Sequence, residues 1–339
     1  MASGRGPDYG PLKSGYDHFF GVLGGSADYF NHGAGTPRQA PLSSRLQEEE
    51  TPIDRPGYLT DLLGDQAVRT IENYAESGQP FLLSLHFTAP HWPWEAPGDE
   101  AESRRIKNLH HTDGGSQATF KAMVQSMDAN IGKVLLALET RGLAQNTIVI
   151  FTSDNGGERY SDNGPFVGAK SELLEGGLRV PAIVRWPARI APGSVSQQVM
   201  ITMDWMPTLL EAAGGQADPA YPMEGESQMA ALTGSPAPHP RKLFWRYTAH
   251  SQRAVRDGDW KYLMINGNEF LFDVVRDPRE RANLKELHGE VFGRLRQDWE
   301  AWNATLPPVT SAPSYHMPGN LFADHYGVIS PRPPAAAPK

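Results

Sequence analysis

Two loops of the sequence hold side chains that could bind a cation and an anion. Asp154 and Asn155 follow the β-branched run 147–152, and their carboxylate and amide oxygens favour Ca²⁺ or Mg²⁺ over Zn²⁺. His91 follows a second apolar run, 80–87, and lies between two prolines. The alternative for Asp-Asn-Gly-Gly is a plain turn, and a single loop histidine usually has no special role.

Lys170 is the third candidate for a chemical role. It lies in the segment 168–179, which can form one or two helical turns that end at a glycine pair. A lysine near a metal site can neutralise an anionic substrate, whereas the alternative is a solvated surface lysine. Arg179, at the end of the same segment, could equally be a structural ion-pair partner.

The apolar patterns predict the elements that position these residues. A helical stripe over 120–138 lies between the buried runs 80–87 and 147–152, which predicts a right-handed βαβ unit. Parallel strands would open both loops at one sheet edge and bring His91 close to Asp154. With a further strand at 181–186, the pattern predicts an α/β fold with a mostly parallel sheet flanked by helices.

The pattern changes after residue 235. Short strands separated by Asp-Gly and Asn-Gly turns, followed by a helix near 288–303, predict a small antiparallel sheet with a C-terminal helix. We therefore expect a main domain over 1–235, a small α+β subdomain over 236–306 and a Pro/Ala-rich tail over 307–339.

Composition excludes several classes of protein. The chain has 339 residues with 39% hydrophobic residues, which suits a globular fold. Its net charge of −8 argues against general binding to nucleic acid or to an anionic membrane, and no apolar run is long enough to span a bilayer. There is no cysteine, which excludes disulfides, thiolate metal sites and a cysteine nucleophile. The first 20 residues contain no apolar h-region, so we expect no signal peptide in this stretch.

The motifs together resemble those of the sulfatases, of the arylsulfatase type, in the alkaline-phosphatase superfamily. The resemblance runs from about residue 10 to 290. Its motifs, in order, are Gly15-Tyr16-Asp17-x-Phe19-Phe20-Gly21, Tyr58-Leu59-Thr60-Asp61, Ala89-Pro90-His91-x-Pro93, Asp154-Asn155-Gly156-Gly157, Lys170, Glu175-Gly176-Gly177-x-Arg179-x-Pro181, Asp204-x-x-Pro207-Thr208-Leu209, Asp257-Gly258-x-Trp260-Lys261 and Leu271-Phe272-Asp273.

The resemblance implies an alkaline-phosphatase-like fold and the hydrolysis of sulfate esters of small molecules or sugars. It implies that Asp154 and Asn155 complete a Ca²⁺ site and that His91 and Lys170 contact the sulfate group. Ser26 falls near a polar residue that touches the site in some members. A periplasmic or extracellular location is expected for full-length members, and the oligomeric state is not indicated.

One departure from the family bears on activity. The family nucleophile is a formylglycine made from the first residue of Cys/Ser-x-Pro-x-Arg, and the only Ser-x-Pro here, at Ser311, has Tyr315 where Arg is required. The aspartate pair of the family's metal site is also missing. We therefore expect a sulfatase chain that lacks the N-terminal part, with an incomplete Ca²⁺ site and no activity alone. The alternatives are a related phosphoester or phosphonate hydrolase, and a non-catalytic binding protein with the same fold.

Overall fold

The computed structural model describes residues 9–24, 27–33, 45–106, 114–234 and 238–309. The chain forms two compact units, Met1–Thr147 and Ile148–Lys339, and each is described by itself. The predicted boundary at 235/236 stays a prediction, and most of the predicted tail lies outside the described residues. Among the described residues, no helix is long and apolar enough to cross a membrane.

The first unit combines a small antiparallel sheet with helices. The strands are short and pair in the order β1-β2-β3. The elements are β1 (Phe20–Gly21), β2 (Gln47–Glu48), β3 (Thr51–Pro52), α1 (Leu59–Ser77), α2 (Glu100–Arg105) and α3 (Gln117–Thr140), with 3₁₀ turns at Pro11–Lys13 and Ala144–Asn146.

Helix α3 confirms the helical stripe predicted over 120–138, and α1 has the same periodicity. The buried face of α1 carries Leu63, Ala67 and Ile71, and α1 ends at Gly78, whose φ of 67° is the left-handed conformation that glycine favours. Helix α3 begins after Ser116, whose hydroxyl accepts a hydrogen bond from the Thr119 N–H at 3.0 Å. The two helices pack against each other.

The prediction of a strand at 80–87 was wrong for the described residues, in which this run pairs with no strand. Its side chains alternate between exposed and partly buried, and Leu82 is 64% exposed. An apolar run reports a tendency to be buried, whereas a strand requires a hydrogen-bonded neighbour. The predicted βαβ unit is therefore not formed by the described residues.

The second unit begins with a two-stranded sheet. Strand β4 (Val149–Thr152) confirms the apolar run after α3, and it pairs with β5 (Ala182–Arg185) in antiparallel register. All pairings among the described residues are antiparallel, so the predicted mostly parallel sheet is corrected here. The reason is that apolar periodicity indicates which face of a strand is buried but carries no information about the direction of its neighbour.

The predicted C-terminal antiparallel sheet with a helix is confirmed. Four strands pair in sequence order as a meander, and the last helix packs on one face through Leu295 and Trp299. Asn266 and Gly267 have φ of 49° and 80°, as the predicted tight hairpin requires. The elements are β6 (Lys242–Tyr247), β7 (Gln252–Asp257), β8 (Trp260–Ile265), β9 (Asn268–Asp273) and α7 (Gly289–Ala304), and the unit also contains α4 (Glu175–Leu178), α5 (Trp205–Ala212) and α6 (Met229–Leu232).

Two helical glycines make a matched test of the α1–α3 packing. A Cβ on Gly64 of α1 would lie 2.7 Å from Cγ of the buried Asn130, whereas a Cβ on Gly132 of α3 meets no described atom within 4 Å. We expect Gly132→Ala to raise the free energy of unfolding by about 0.5–1 kcal/mol through helix propensity. Gly64→Ala should lower it by about 1 kcal/mol because steric overlap exceeds that gain. Urea denaturation measures both, and equal stabilisation by the two substitutions would contradict the packing.

Candidate functional site

The predicted cation ligands lie in the loop that follows β4. Asp154 is exposed and Asn155 is partly buried. The hydroxyl of Ser153 donates a hydrogen bond to the Asn155 carbonyl at 3.1 Å, and the Gly156 N–H donates to the Gly177 carbonyl at 2.9 Å. The loop is therefore attached to the glycine pair Gly176-Gly177 in the first turn of α4. The Asp154 side chain is exposed to solvent.

The glycines of the two motifs allow this attachment because their backbones are in contact. A Cβ on Gly156 would overlap the Gly176 carbonyl oxygen, and a Cβ on Gly176 would overlap the Gly168 carbonyl oxygen. A Cβ on Gly177 would overlap the carbonyl oxygen of Glu172. Only glycine fits at these three positions, which explains why both motifs contain glycine pairs.

Asn163 ties the two loops together with its side-chain amide. Its Oδ1 accepts a hydrogen bond from the Gly157 N–H at 2.8 Å, and its Nδ2 donates to the carbonyls of Gly157 at 3.0 Å and Gly168 at 3.1 Å. The Lys170 N–H also donates to the Gly157 carbonyl, at 3.1 Å. Sequence reasoning missed Asn163, although Asn163-Gly164-Pro165 is a turn signal that could have drawn attention to it.

Lys170 presents its ammonium group beside a carboxylate. Its Nζ lies 3.4 Å from Oε2 of Glu158, and the two side chains are 25% and 15% exposed. Both side chains are therefore partly buried, and the ammonium keeps some access to solvent. The second unit therefore brings Asp154, Asn155 and Lys170 into one hydrogen-bonded loop system.

His91 lies in the first unit, between the cis peptide bonds Ala89–Pro90 and Trp92–Pro93. Its Nδ1 is 2.6 Å from the Trp92 carbonyl oxygen, so in the neutral ring Nδ1 carries the proton and Nε2 is the acceptor nitrogen. The Tyr29 hydroxyl donates to the His91 carbonyl at 2.9 Å. The expected proximity of His91 to Asp154 joins two separate units and stays a prediction.

A buried ion cluster holds the segment that carries Lys170. Lys261 on β8 is fully buried, and its Nζ lies 3.0 Å from Oε1 of Glu175 and 2.9 Å from Oε1 of Glu280. The Glu280 carboxylate also accepts a hydrogen bond from the Glu175 N–H at 2.6 Å. Burial alone would raise the pKa of Glu175, but the charges of Lys261 and Arg256 hold that pKa below its ordinary value.

Gln252 on β7 forms a second attachment of the same segment. Its Nε2 donates to the Ser171 carbonyl at 2.8 Å, and its Oε1 accepts from the Leu173 N–H at 2.8 Å. Arg179 lies 4.4 Å above the Phe166 ring and 3.7 Å from the Glu175 carboxylate. These contacts support the structural interpretation of Arg179 rather than a role in chemistry.

A metal site was expected around Asp154 and Asn155, and Ca²⁺ binding there stays a prediction. In the described portion of the chain, no group of three His, Asp or Glu side chains is arranged to hold a metal. Asp154 and Asn155 supply two kinds of oxygen ligand, whereas Ca²⁺ takes about six to eight. Ser26, the least certain match to the family's site, lies outside the described residues.

The buried cluster predicts a large loss of stability when its cation is removed. Lys261→Met leaves the buried Glu280 without its cation and leaves Glu175 with only the more distant Arg256 and Arg179, so we expect the free energy of unfolding to fall by about 3–5 kcal/mol. The matched control is Lys242→Met, because Lys242 is 35% exposed and its Nζ lies 2.7 Å from Asp298. That change should cost at most about 1 kcal/mol. Urea denaturation followed by tryptophan fluorescence distinguishes them, and equal effects would exclude a central role for Lys261.

Comparison with known proteins identifies the family of the chain. The sulfatase family matches residues 3–215, and the family described as N-sulphoglucosamine sulphohydrolase, C-terminal, matches residues 169–301. Mouse steryl-sulfatase (Mus musculus) is 31% identical over 344 residues, which cover 85% of this chain and 52% of that protein. Mouse N-acetylgalactosamine-6-sulfatase is 34% identical over 224 residues, which cover 62% of this chain and 41% of that protein.

Solved structures show the same fold. The crystal structure of Ps i-CgsB in complex with k-i-k-neocarrahexaose has 26% identity and a TM-score of 0.77, over 88% of this chain and 68% of that one. The phosphonate monoester hydrolase SpPMH from Silicibacter pomeroyi, at 20% identity and a TM-score of 0.53, shares the fold alone. These similarities confirm the predicted alkaline-phosphatase-like α/β class. With its family match over residues 3–215, the chain belongs to the sulfatase family.

Proposed function

We propose that this chain carries the sulfate-binding part of an enzyme that hydrolyses sulfate esters. The observation that carries the proposal is the loop system in which Lys170 is hydrogen-bonded to the Asp-Asn-Gly-Gly turn. This arrangement combines a partly exposed cation with oxygen ligands suited to a hard metal. Family membership supports the reaction class, and the chain spans 52% and 41% of the two mouse relatives.

Two side chains would act on the sulfate group itself. Lys170 would neutralise charge on the non-bridging oxygens, and this charge must be compensated as the ester bond breaks. Glu158, 3.4 Å from this ammonium, would share it with the sulfate as the substrate arrives. His91 would present Nε2 to the ester, since Nδ1 faces the Trp92 carbonyl.

Asp154 and Asn155 would hold a Ca²⁺ ion together with ligands beyond the described residues. When bound, the ion supplies positive charge that polarises a sulfate oxygen. The sequence has no cysteine and no Ser-x-Pro-x-Arg, so we derive no covalent step for this chain.

A sulfated sugar is the substrate class that the comparisons favour. One structural relative was solved with a neocarrahexaose, and one curated relative is named for a sulfated amino sugar. The phosphonate hydrolase that shares the fold makes a phosphorus ester the alternative. Sulfate and phosphoryl groups share tetrahedral geometry, so direct competition is the way to separate them.

Binding of 4-nitrophenyl sulfate to the 339-residue chain, measured by calorimetry, tests the proposal. We expect Lys170→Ala to weaken binding at least tenfold, because the ammonium that faces the sulfate is lost. Lys133→Ala is the control, since Lys133 on α3 is exposed and pairs with Asp65. Equal loss in both variants, or tighter binding of 4-nitrophenyl phosphate than of the sulfate, would overturn the sulfatase proposal.

We predict no measurable sulfatase turnover by this chain alone. Its binding residues cannot replace a nucleophile, whose loss typically costs several orders of magnitude in rate. The purified chain with an activated aryl sulfate should match the buffer blank. Turnover that follows the chain through purification and disappears in Lys170→Ala would contradict the prediction.

We also predict weak Ca²⁺ binding, with a Kd of about 1 mM or higher. One carboxylate and one amide cannot offset the dehydration of a divalent cation. Titration calorimetry measures the affinity, with Asp154→Asn expected to remove the residual binding and Asp218→Asn, a change of another exposed carboxylate, expected to leave it unchanged. Micromolar binding that depends on Asp154 would mean that the site is more complete than its ligands indicate.

A further inference from the structure

A buried pair of carboxyl groups supports the loop that carries His91. Glu95, at the end of this loop, is fully buried, and Asp28 is 3% exposed. Neither residue belongs to the motifs that carry the proposed chemistry. Buried carboxyl groups are costly unless they are paired or hydrogen-bonded, so the pair requires an explanation.

Tyr29 connects Glu95 to His91. Its backbone N–H donates to Oε2 of Glu95 at 2.8 Å, and its hydroxyl donates to the His91 carbonyl at 2.9 Å. The Tyr58 hydroxyl donates to the Glu95 carbonyl at 2.7 Å, and the two tyrosine rings stack at 5.2 Å. Both ends of the segment 91–95 are therefore held by Tyr29, and one end is also held by Tyr58.

The two carboxyl groups differ in their hydrogen-bond donors. Asp28 accepts from the N–H groups of Phe30 at 2.9 Å and Asn31 at 2.6 Å, and from the Ser103 hydroxyl at 2.9 Å, as an ionised carboxylate does. Glu95 accepts from Tyr29 through Oε2 alone, and its buried Oε1 receives no hydrogen bond from a described residue. Asp28 is the neighbouring carboxyl group, so a proton on Glu95 would let its O–H donate to Asp28 and supply the missing bond.

The surroundings of Glu95 favour this protonated form. Burial, followed by the negative charge of Asp28, raises the pKa of Glu95 to about 8. Burial also lowers the pKa of His32, which lies near Asp28, so that imidazole is neutral at pH 7 and does not compensate the pair. Seven titratable groups surround this pair of carboxyl groups and the residues that contact it. They are Tyr29, Tyr58, His32, Asp54, Asp61, Asp99 and Glu102.

We infer that Glu95 is a positioning residue for His91, which it holds through Tyr29 while sharing its proton with Asp28. The inference rests on the proposed function in one respect, that His91 contacts the sulfate group. Loss of the proton places two negative charges side by side in a buried site, and their repulsion loosens the segment 91–95. The direction of the His91 imidazole then changes, and a sulfate ester binds less tightly.

The pH range of the effect follows from the sign of the shift. Glu95 has a higher pKa in the folded chain, about 8, than its ordinary value of 4.5. The stability contributed by its proton is therefore complete below pH 4.5 and is lost as the pH rises through 8. Glu95→Gln reproduces the shape and donor of the protonated acid but cannot ionise, so it should remove this pH dependence.

Nuclear magnetic resonance of the His91 ring in the full chain tests the inference. The His91 signals are assigned by their loss in His91→Gln and followed from pH 7.5 to 9.5, where an ordinary imidazole is already neutral. We expect them to move with a midpoint near pH 8 in the wild type and to stay at the low-pH position in Glu95→Gln. Glu100→Gln, at an exposed carboxyl group on α2, is the control and should keep the midpoint.

A second readout separates this inference from the proposed function. The affinity for 4-nitrophenyl sulfate should fall at least threefold from pH 7.5 to 9.5 in the wild type and remain constant in Glu95→Gln. Absence of sulfate-ester binding at every pH overturns the proposed function, and the His91 signals then decide the inference alone. Wild-type signals that do not move, or a midpoint that persists in Glu95→Gln, would overturn the positioning role.

Discussion

The contact on which the candidate site depends is the buried ammonium of Lys261 between two glutamates. Glu175 starts α4, so its attachment to Lys261 fixes the glycine pair that follows it against the C-terminal sheet. Those glycines contact the backbone of the Asp-Asn-Gly-Gly turn, and the Gly177 carbonyl accepts a hydrogen bond from the Gly156 N–H. The segment that contains them also carries Lys170. An interaction among residues outside the proposed site therefore fixes the segment that carries Lys170. A cluster of this kind is poorly explained by stability alone, because a buried pair often gains little over apolar residues. Its value here is that it specifies one geometry for a segment with few side chains to pack.

The glycine contacts explain how so open a loop system keeps its shape. Backbone groups that touch directly leave no room for a Cβ, and the Asn163 amide donates hydrogen bonds to the Gly157 and Gly168 carbonyls. Asp154 and Lys170 can then remain accessible, since their own side chains are not needed to hold the loop together. This separation between residues that hold and residues that react is the arrangement expected for a site built on loops.

Both units bury carboxyl groups, and they compensate the cost of that burial in different ways. In the second unit, buried carboxylates are compensated by a lysine, which keeps the pKa of Glu175 low. In the first unit, burial and the charge of Asp28 raise the pKa of Glu95, which favours a proton in place of a cation. The second unit also holds acids of raised pKa, because burial raises the pKa of Glu172 to about 7 and raises that of Glu280 as well. The two units therefore differ in how Glu175 and Glu95 are compensated.

Local patterns in the sequence determined much of this protein. Helices α1, α3 and α7, the hairpins of the C-terminal sheet and the family itself follow from apolar spacing, turn residues and ordered motifs, because each depends on neighbours close in the chain. The sequence also singled out Asp154, Asn155 and Lys170, which the second unit does bring together.

Only the tertiary structure decided that β4 pairs with β5 in antiparallel register and that the run 80–87 pairs with no described strand. It alone revealed Lys261 and Glu95 as residues that hold the loops, because their partners Glu175 and Tyr29 lie 86 and 66 positions away in the sequence, a separation that no local pattern encodes. Pairing direction and buried charge are set by which surfaces meet, and that information is absent from the spacing of residues along the chain.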